Sequence, residues 1–108
     1  MSFDAYDRSV DLLRTLAPLI TAVASSDSSL ADQLRRAAQS VPLNIAEANQ
    51  RTKRDRRNRF RIALGSAAEV AACLDVAIAL GYIEDERAAA ALALVDRVRA
   101  MTFRLQKA

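Results

Sequence analysis

Residues 30–49 read LADQLRRAAQSVPLNIAEAN, and this stretch decides the fold. Its apolar residues recur at steps of three and four, which is the pattern of one amphipathic helical stripe. They are Leu30, Leu34, Ala37, Val41, Ile45 and Ala48.

The stripe keeps its phase across Pro42, whose missing N–H removes one helical hydrogen bond. We therefore expect one helix, kinked at Pro42, rather than two.

Three further segments, residues 3–24, 53–80 and 85–106, carry the same helical periodicity. The expected buried stripes are Phe3, Tyr6, Val10, Leu13, Ala17, Ile20 and Ala24 in the first, Phe60, Leu64, Ala67, Ala71, Leu74 and Ile78 in the second, and Ala91, Leu94, Val98, Met101 and Leu105 in the third. Polar and glycine residues mark the helix ends. Asp27, Ser28 or Ser29 is expected to cap the second helix, Thr52 the third, and Gly81 should follow the end of the third.

The helices are joined by connections of only a few residues, and 108 residues fit one compact core. The sequence therefore predicts a single all-α domain over residues 1–108, an antiparallel up-down-up-down four-helix bundle. Composition agrees with this fold. The chain holds 23 alanines, only two glycines and 5% aromatic residues, a composition that excludes a β-sandwich or β-barrel.

The absence of histidine excludes much chemistry. It removes Ser-His-Asp and Cys-His catalysis and the Glu-x-x-His di-iron site. The single Cys73 cannot form an internal disulfide, and we interpret it as a small core residue. We expect no catalytic residues, no metal ligands and no cofactor. The acidic residues Asp4 and Asp7 argue against a signal peptide. Every stretch of 18 residues contains at least one charged side chain, so we expect a cytoplasmic chain without a membrane segment.

Residues 51–61, RTKRDRRNRFR, concentrate the positive charge of the chain. They hold seven of its sixteen cationic residues and one acidic residue, Asp55. The segment therefore carries +6 and the remaining residues −3, which together make the net charge of +3. Such a local basic segment is a statement about binding partners rather than about the fold.

On a helix, Arg54, Arg57 and Arg61 share one face, and guanidinium groups bind phosphate oxygens in bidentate fashion. We expect the residues that bind nucleic acid to be Arg51, Lys53, Arg54, Arg56, Arg57 and Arg61, with Arg59 beside them and Phe60 turned to the core. Two alternatives stay open. The charges could be merely solvated, or they could pair with acids such as Glu84 and Glu86 of a neighbouring subunit. No aromatic residue is interleaved for base stacking, so sequence-specific reading of a single strand is not expected.

The two middle helices carry distinctive motifs. The first contains Arg35, Arg36, Ala37, Ser40, Pro42, Asn44, Ile45, Ala46 and Glu47, and the second contains Ala63, Gly65, Ser66 and Glu69, followed by Leu80, Gly81, Tyr82 and Ile83. In this order they resemble the family catalogued as four helix bundle proteins, or ribosomal-RNA intervening-sequence proteins, with the pattern L-R-R-A…S-x-P-x-N-I-A-E-G. Ala48 stands where that family usually has glycine, so we expect a more helical turn after Glu47.

The resemblance implies a compact four-helix bundle that assembles as a homo-oligomer, with a pentamer favoured, and that catalyses no reaction. It also implies two classes of partner. Our first hypothesis is a non-enzymatic protein that binds RNA or DNA. The alternative is a protein-interaction or scaffolding module, for example an accessory protein of a reverse transcriptase, without direct nucleic-acid binding. Small residues at Gly65, Ala68, Ala72 and Ala79 would let a neighbouring helix approach closely.

We interpret a second set of residues as structural: Arg36, Ser40, Pro42, Asn44, Glu47, Gly65, Ser66 and Glu69. Glu47 and Glu69 are each expected to pair with an arginine such as Arg36, because a buried carboxylate needs such a partner. Pro42 frees the carbonyl of Ala38, and neighbouring polar side chains are expected to satisfy it.

Overall fold

The computed structural model describes residues 3–108, apart from the side chain of Phe3, so the expected place of Phe3 in the first stripe lies outside the described residues. Four helices cover most of the chain: α1 Phe3–Ala24, α2 Ser28–Asn49, α3 Lys53–Ala79 and α4 Asp85–Lys107. The described residues form no strand. The all-α four-helix prediction is confirmed, and α2 runs through Pro42 and Ala48 as one helix.

Each helix packs against the next along the chain, and α1 also packs against α4, so the four helices enclose one core. The longest dimension, 42 Å, is close to the length of a 27-residue helix such as α3. Three hydrogen bonds join α2 to α3, between Gln33 and Glu69, Ser40 and Ser66, and Asn44 and Arg59. Because the residue numbers rise on one helix as they fall on the other, α2 and α3 run in opposite directions. The directions of the other helices and the kink at Pro42 stay predictions.

The buried face of α2 is the expected one, but the face of α1 is not. The core residues of α1 are Ala5, Ser9, Leu12, Leu16, Leu19, Ile20 and Val23. Of the expected stripe, Tyr6, Ala17 and Ala24 are exposed. Two stripes run side by side on this helix. In its second half the buried stripe carries larger side chains, Leu16 and Val23, than the expected one, which has Ala17 and Ala24 there, so it removes more apolar area from water.

The buried faces of α3 and α4 agree with the sequence in part. Phe60, Ala67 and Leu74 are buried on α3, and Ala91 and Val98 are buried on α4. The other expected positions, Leu64, Ala71 and Ile78 on α3 and Leu94, Met101 and Leu105 on α4, are only half-buried. Their places in the core are taken by Ala63, Val70, Cys73 and Ala77 on α3 and by Ala88, Val95 and Thr102 on α4.

The helix ends follow the predicted signals with one exception. The Asp27 carboxylate accepts a hydrogen bond from the backbone N–H of Leu30 at 2.9 Å, which caps α2. Thr52 is the N-cap of α3 but makes no side-chain hydrogen bond there. Gly81 has φ +76° and donates to Ile78, while Tyr82 donates to Ala77, the pair of bonds that defines a Schellman ending. The Tyr82 hydroxyl also donates to Asp27 at 3.3 Å, which ties the α1–α2 and α3–α4 connections together.

α3 is more apolar than its place in the core requires. An 18-residue window of this helix has a mean hydropathy of 1.8, long and apolar enough to cross a membrane by length and composition alone. Only 33% of that window is buried in the bundle. Its exposed side includes Ile62 at 40%, Val76 at 45% and, just past the helix end, Leu80 at 58%. The helix therefore presents several apolar side chains to solvent, beside the exposed carboxylates of Glu69 and Asp75.

Replacing Gly81 by alanine tests the α3 ending. A Cβ at Gly81 meets no atom within 4 Å, so the cost is conformational rather than steric. We expect the free energy of unfolding to fall by about 1 kcal/mol, because the left-handed conformation is unfavourable for residues with a Cβ. Chemical denaturation measures this change. The control is Gly65→Ala, which lies inside α3 and should not destabilise the isolated chain. Equal decreases in the free energy of unfolding for both variants would contradict the assignment of Gly81 as the left-handed residue that ends α3.

Candidate nucleic-acid interface

The first turns of α3 bring three of the expected arginines together. Arg54, Arg57 and Arg61 are exposed and line an open cleft of about 520 Å³ with Asp55 and Asn58. At 1.5 Å per residue, about 10 Å of helix separates Arg54 from Arg61. The cleft therefore presents three guanidinium groups in a row, with one carboxylate among them.

Three other cations of the segment are engaged within the molecule. Arg51 donates to the Glu47 carboxylate at 3.0 Å. The guanidinium of Arg56 lies over the ring of buried Phe60, 4.7 Å from its centroid, in a cation–π contact. Arg59, which the sequence placed beside the face, donates to the Asn44 amide oxygen at 3.4 Å and is half-buried. These contacts hold three of the seven cations against α2 or against α3 itself.

Four cations of the segment are left, namely Lys53, Arg54, Arg57 and Arg61. Within residues 3–108 none of them forms an ion pair; the pairs present involve Arg8, Arg14, Arg35 and Arg51. The structure thus divides the six residues expected to bind nucleic acid. Four point to solvent without an anionic partner, whereas Arg51 and Arg56 already have contacts within the chain.

The position of these cations at the start of α3 is unfavourable for the isolated chain. Lys53 and Arg54 lie in the first turn, where the helix dipole disfavours cations, and Asp55 is the acidic residue there. Lys53 also has φ +49°, a left-handed conformation that costs energy in a residue with a side chain. An anion bound at the start of α3 would reduce the repulsion among these cations and the positive end of the helix dipole.

A polar seam joins α2 to α3. The hydroxyl of Ser66 donates to that of Ser40 at 2.7 Å. The Asn44 amide donates to the carbonyl and hydroxyl of Ser40 at 2.8 and 3.0 Å. The expected repair of the Ala38 carbonyl is wrong, since the Asn44 amide bonds to Ser40 and no side chain of residues 3–108 donates to Ala38. The seam links the two helices rather than mending the backbone at Pro42.

Each glutamate was expected to pair with an arginine, and to be buried; Glu47 does pair with an arginine, though not with Arg36, and neither glutamate is buried. Glu47 pairs with Arg51 one turn later, with both side chains 45% exposed. Glu69 is exposed and accepts from Gln33 at 3.4 Å. Arg36 is also exposed. Charge at these positions therefore stays in contact with water, and no buried charge needs compensation.

The remaining residues singled out in the sequence lie apart from the cleft. Pro42 is buried in α2, and Gly65 is on the exposed side of α3. Burial, followed by the nearby Glu69 carboxylate, raises the pKa of the Cys73 thiol, which keeps it protonated at neutral pH. In the described part of the chain no group of three or more His, Cys, Asp or Glu residues is placed to hold a metal ion.

Comparison with known proteins places the chain in a family. The model of the 23S rRNA-intervening sequence proteins matches residues 1–104. The chain belongs to this family. No curated protein matches it. The description of the family names no catalytic activity.

A solved structure has the same fold as this family member. It is a protein of unknown function from the S23 ribosomal protein family of Bacteroides thetaiotaomicron, similar to this chain with a TM-score of 0.87. The match covers 96% of this chain and 99% of that one, at 24% sequence identity. At this identity the likeness shows the fold alone.

Replacing Glu47 by alanine tests its surface position. Because the pair with Arg51 is exposed, we expect the free energy of unfolding to fall by about 0.5 kcal/mol or less. Thermal or chemical unfolding measures it, with the comparable Asp32→Ala variant, which removes the exposed pair with Arg35, as control. A loss of several kcal/mol would mean that Glu47 is buried against another partner.

Proposed function

We propose that the chain is a non-enzymatic nucleic-acid-binding protein and that the start of α3 contacts phosphates. One observation carries the proposal: Lys53, Arg54, Arg57 and Arg61 face solvent without an anionic partner among residues 3–108. Phosphate groups supply the missing anions, and guanidinium groups match their geometry.

The chemistry of the cleft favours binding over catalysis. The chain has no histidine, and the cleft holds one carboxylate and one amide beside its arginines. General acid–base catalysis at neutral pH needs a group that titrates near that pH, and guanidinium groups stay charged throughout. The cleft can therefore hold an anion, and beside its arginines the Asp55 carboxylate is the one side chain in its lining that could accept a proton.

Replacing Arg54, Arg57 and Arg61 together by glutamine tests the phosphate contacts. The wild-type chain should bind mixed-sequence RNA or DNA at low salt. Each phosphate contact adds about 0.9 to the slope of log affinity against log salt on duplex DNA, so the triple variant should lose up to about 2.7 from that slope. Fluorescence anisotropy at several salt concentrations measures it. The fold should persist, because all three side chains are exposed.

The matched control replaces Arg36, Arg97 and Arg99 by glutamine. These exposed residues lie on α2 and α4 and form no ion pair within residues 3–108, and their loss changes the net charge by the same amount. A general charge effect would weaken binding equally in both triple variants. If the wild-type chain ignores nucleic acid at about 50 mM salt, where such contacts are strong, the alternative scaffolding function replaces this proposal.

We also propose that the chain forms a homo-oligomer, with a pentamer favoured by the family resemblance. The outer face of α3 supports this. Gly65, Ala68 and Ala72 are exposed there, and a Cβ added at Gly65 meets nothing within 4 Å, so this glycine serves no contact inside the bundle. Ile62 and Val76 lie on the same face. Small residues beside apolar ones allow another helix to approach closely. The same face would serve a different protein in the scaffolding alternative.

Light scattering after size exclusion tests the assembly. The wild-type mass should be several times 11.8 kDa. Ala72→Glu should lower it, since a carboxylate would be buried at the contact without a partner. Ala100→Glu, on the exposed side of α4, is the control and should leave the mass unchanged. A monomeric wild-type chain at micromolar concentration contradicts the proposal. Dissociation of the triple arginine variant would instead show that the arginines join subunits.

A further inference from the structure

We infer that the arginine cleft recognises double-stranded rather than single-stranded nucleic acid. The inference rests on the proposed function and narrows its ligand to one class. It follows from what the cleft contains and from what it lacks. The cleft contains a row of cations on a rigid helix, and it lacks an accessible aromatic ring.

Single strands are commonly held by aromatic side chains on which successive bases stack. The aromatic residue nearest to the cleft in sequence is Phe60, which is fully buried, and the guanidinium of Arg56 lies over its ring. The cleft itself is lined by arginine, aspartate and asparagine side chains. A single strand bound here would have to lose its flexibility without gaining any stacking.

A duplex suits the same cleft better. It carries about one negative charge per 1.7 Å of its axis, a higher density than one strand provides. The phosphates of a duplex are also held at fixed spacings, as the arginines are on α3, so less flexibility is lost on binding. Arg54, Arg57 and Arg61 span about 10 Å along α3, enough to contact several of these phosphates.

Two exposed aromatic side chains offer alternative platforms elsewhere: Tyr6 of α1, 37% exposed, and Phe103 of α4. Phe103 of α4 is 51% exposed, and the ammonium of Lys107 lies 5.4 Å from its ring centroid. It lines no part of the arginine cleft. Phe103→Ala therefore separates stacking at that ring from binding in the cleft.

The experiment measures the affinity of the wild-type chain for a mixed-sequence duplex of about 20 base pairs and for each of its strands alone. Duplex RNA and duplex DNA are both used, at the same salt concentrations. The duplex has twice as many phosphates as one strand, which alone gives about a twofold preference. Because the cleft offers no stacking to a single strand, we expect a preference clearly above that, with the duplex bound at least about tenfold more tightly. A preference for the RNA duplex would assign the ligand to RNA, and equal binding would indicate contacts with phosphates alone.

A gain-of-function variant tests the reason for the preference. Asn58 is exposed and lines the cleft. Asn58→Tyr adds the missing ring and should raise single-strand affinity about tenfold with little change for the duplex. Asn58→Ala is the control for loss of the amide, and circular dichroism confirms that both variants fold.

The outcomes separate this inference from the proposed function. Single strands that bind as tightly as the duplex overturn the inference and leave phosphate binding intact. The inference is also overturned if Asn58→Tyr leaves single-strand affinity unchanged. Loss of single-strand binding in Phe103→Ala would place that binding on α4, outside the cleft, and supports the inference. Failure of every nucleic acid to bind at about 50 mM salt overturns the proposed function itself.

Discussion

The buried face of α3, which runs from Phe60 to Ala77, fixes the rotation of this helix, and the surface of the protein depends on that rotation. Phe60 is the largest fully buried side chain of the core. Because successive helical residues turn by about 100°, seating this face against the other helices places Arg54 and Arg61 on the opposite side of α3. Arg56 and Arg59 fall toward the core side, where Arg56 covers the Phe60 ring and Arg59 reaches Asn44 of α2. One buried face thus sorts a run of arginines into engaged and free groups.

The same rotation makes the outer face of α3 continuous from end to end. Steps of three and four lead from Arg54 through Arg61, Gly65 and Ala72 to Val76. The first part of this face is basic, and the second part is small and apolar apart from the exposed carboxylates of Glu69 and Asp75. Two kinds of contact can therefore be made by one helix without competing for the same side chains. In a cyclic oligomer built on the apolar part, the basic part would be repeated once per subunit, and weak phosphate contacts would add by avidity.

The sequence predicted the helices well and their rotations less well. Residues 30–49 predicted the buried face of α2, with Leu30 only half-buried, because exposed charged and amide side chains such as Asp32, Arg36 and Gln39 occupy the other side of this helix. On α1, Leu12 and Leu13 or Leu19 and Ile20 stand side by side, so periodicity allows two neighbouring faces, and only packing against α2 and α4 selects one. The arginine row was evident from spacing alone. Its division was not, because the stacking of Arg56 on Phe60 and the contact of Arg59 with Asn44 depend on tertiary geometry.

The four free cations weaken the fold they belong to, and this bears on their purpose. Lys53 and Arg54 oppose the dipole of α3, Lys53 adopts an unfavourable backbone conformation, and like charges crowd one short stretch of helix. None of these side chains covers the core or forms an ion pair within residues 3–108. A bundle required only to fold would gain stability from neutral residues at these positions. A destabilising, organised and solvent-facing feature of this kind is typical of binding surfaces, where stability and function oppose each other.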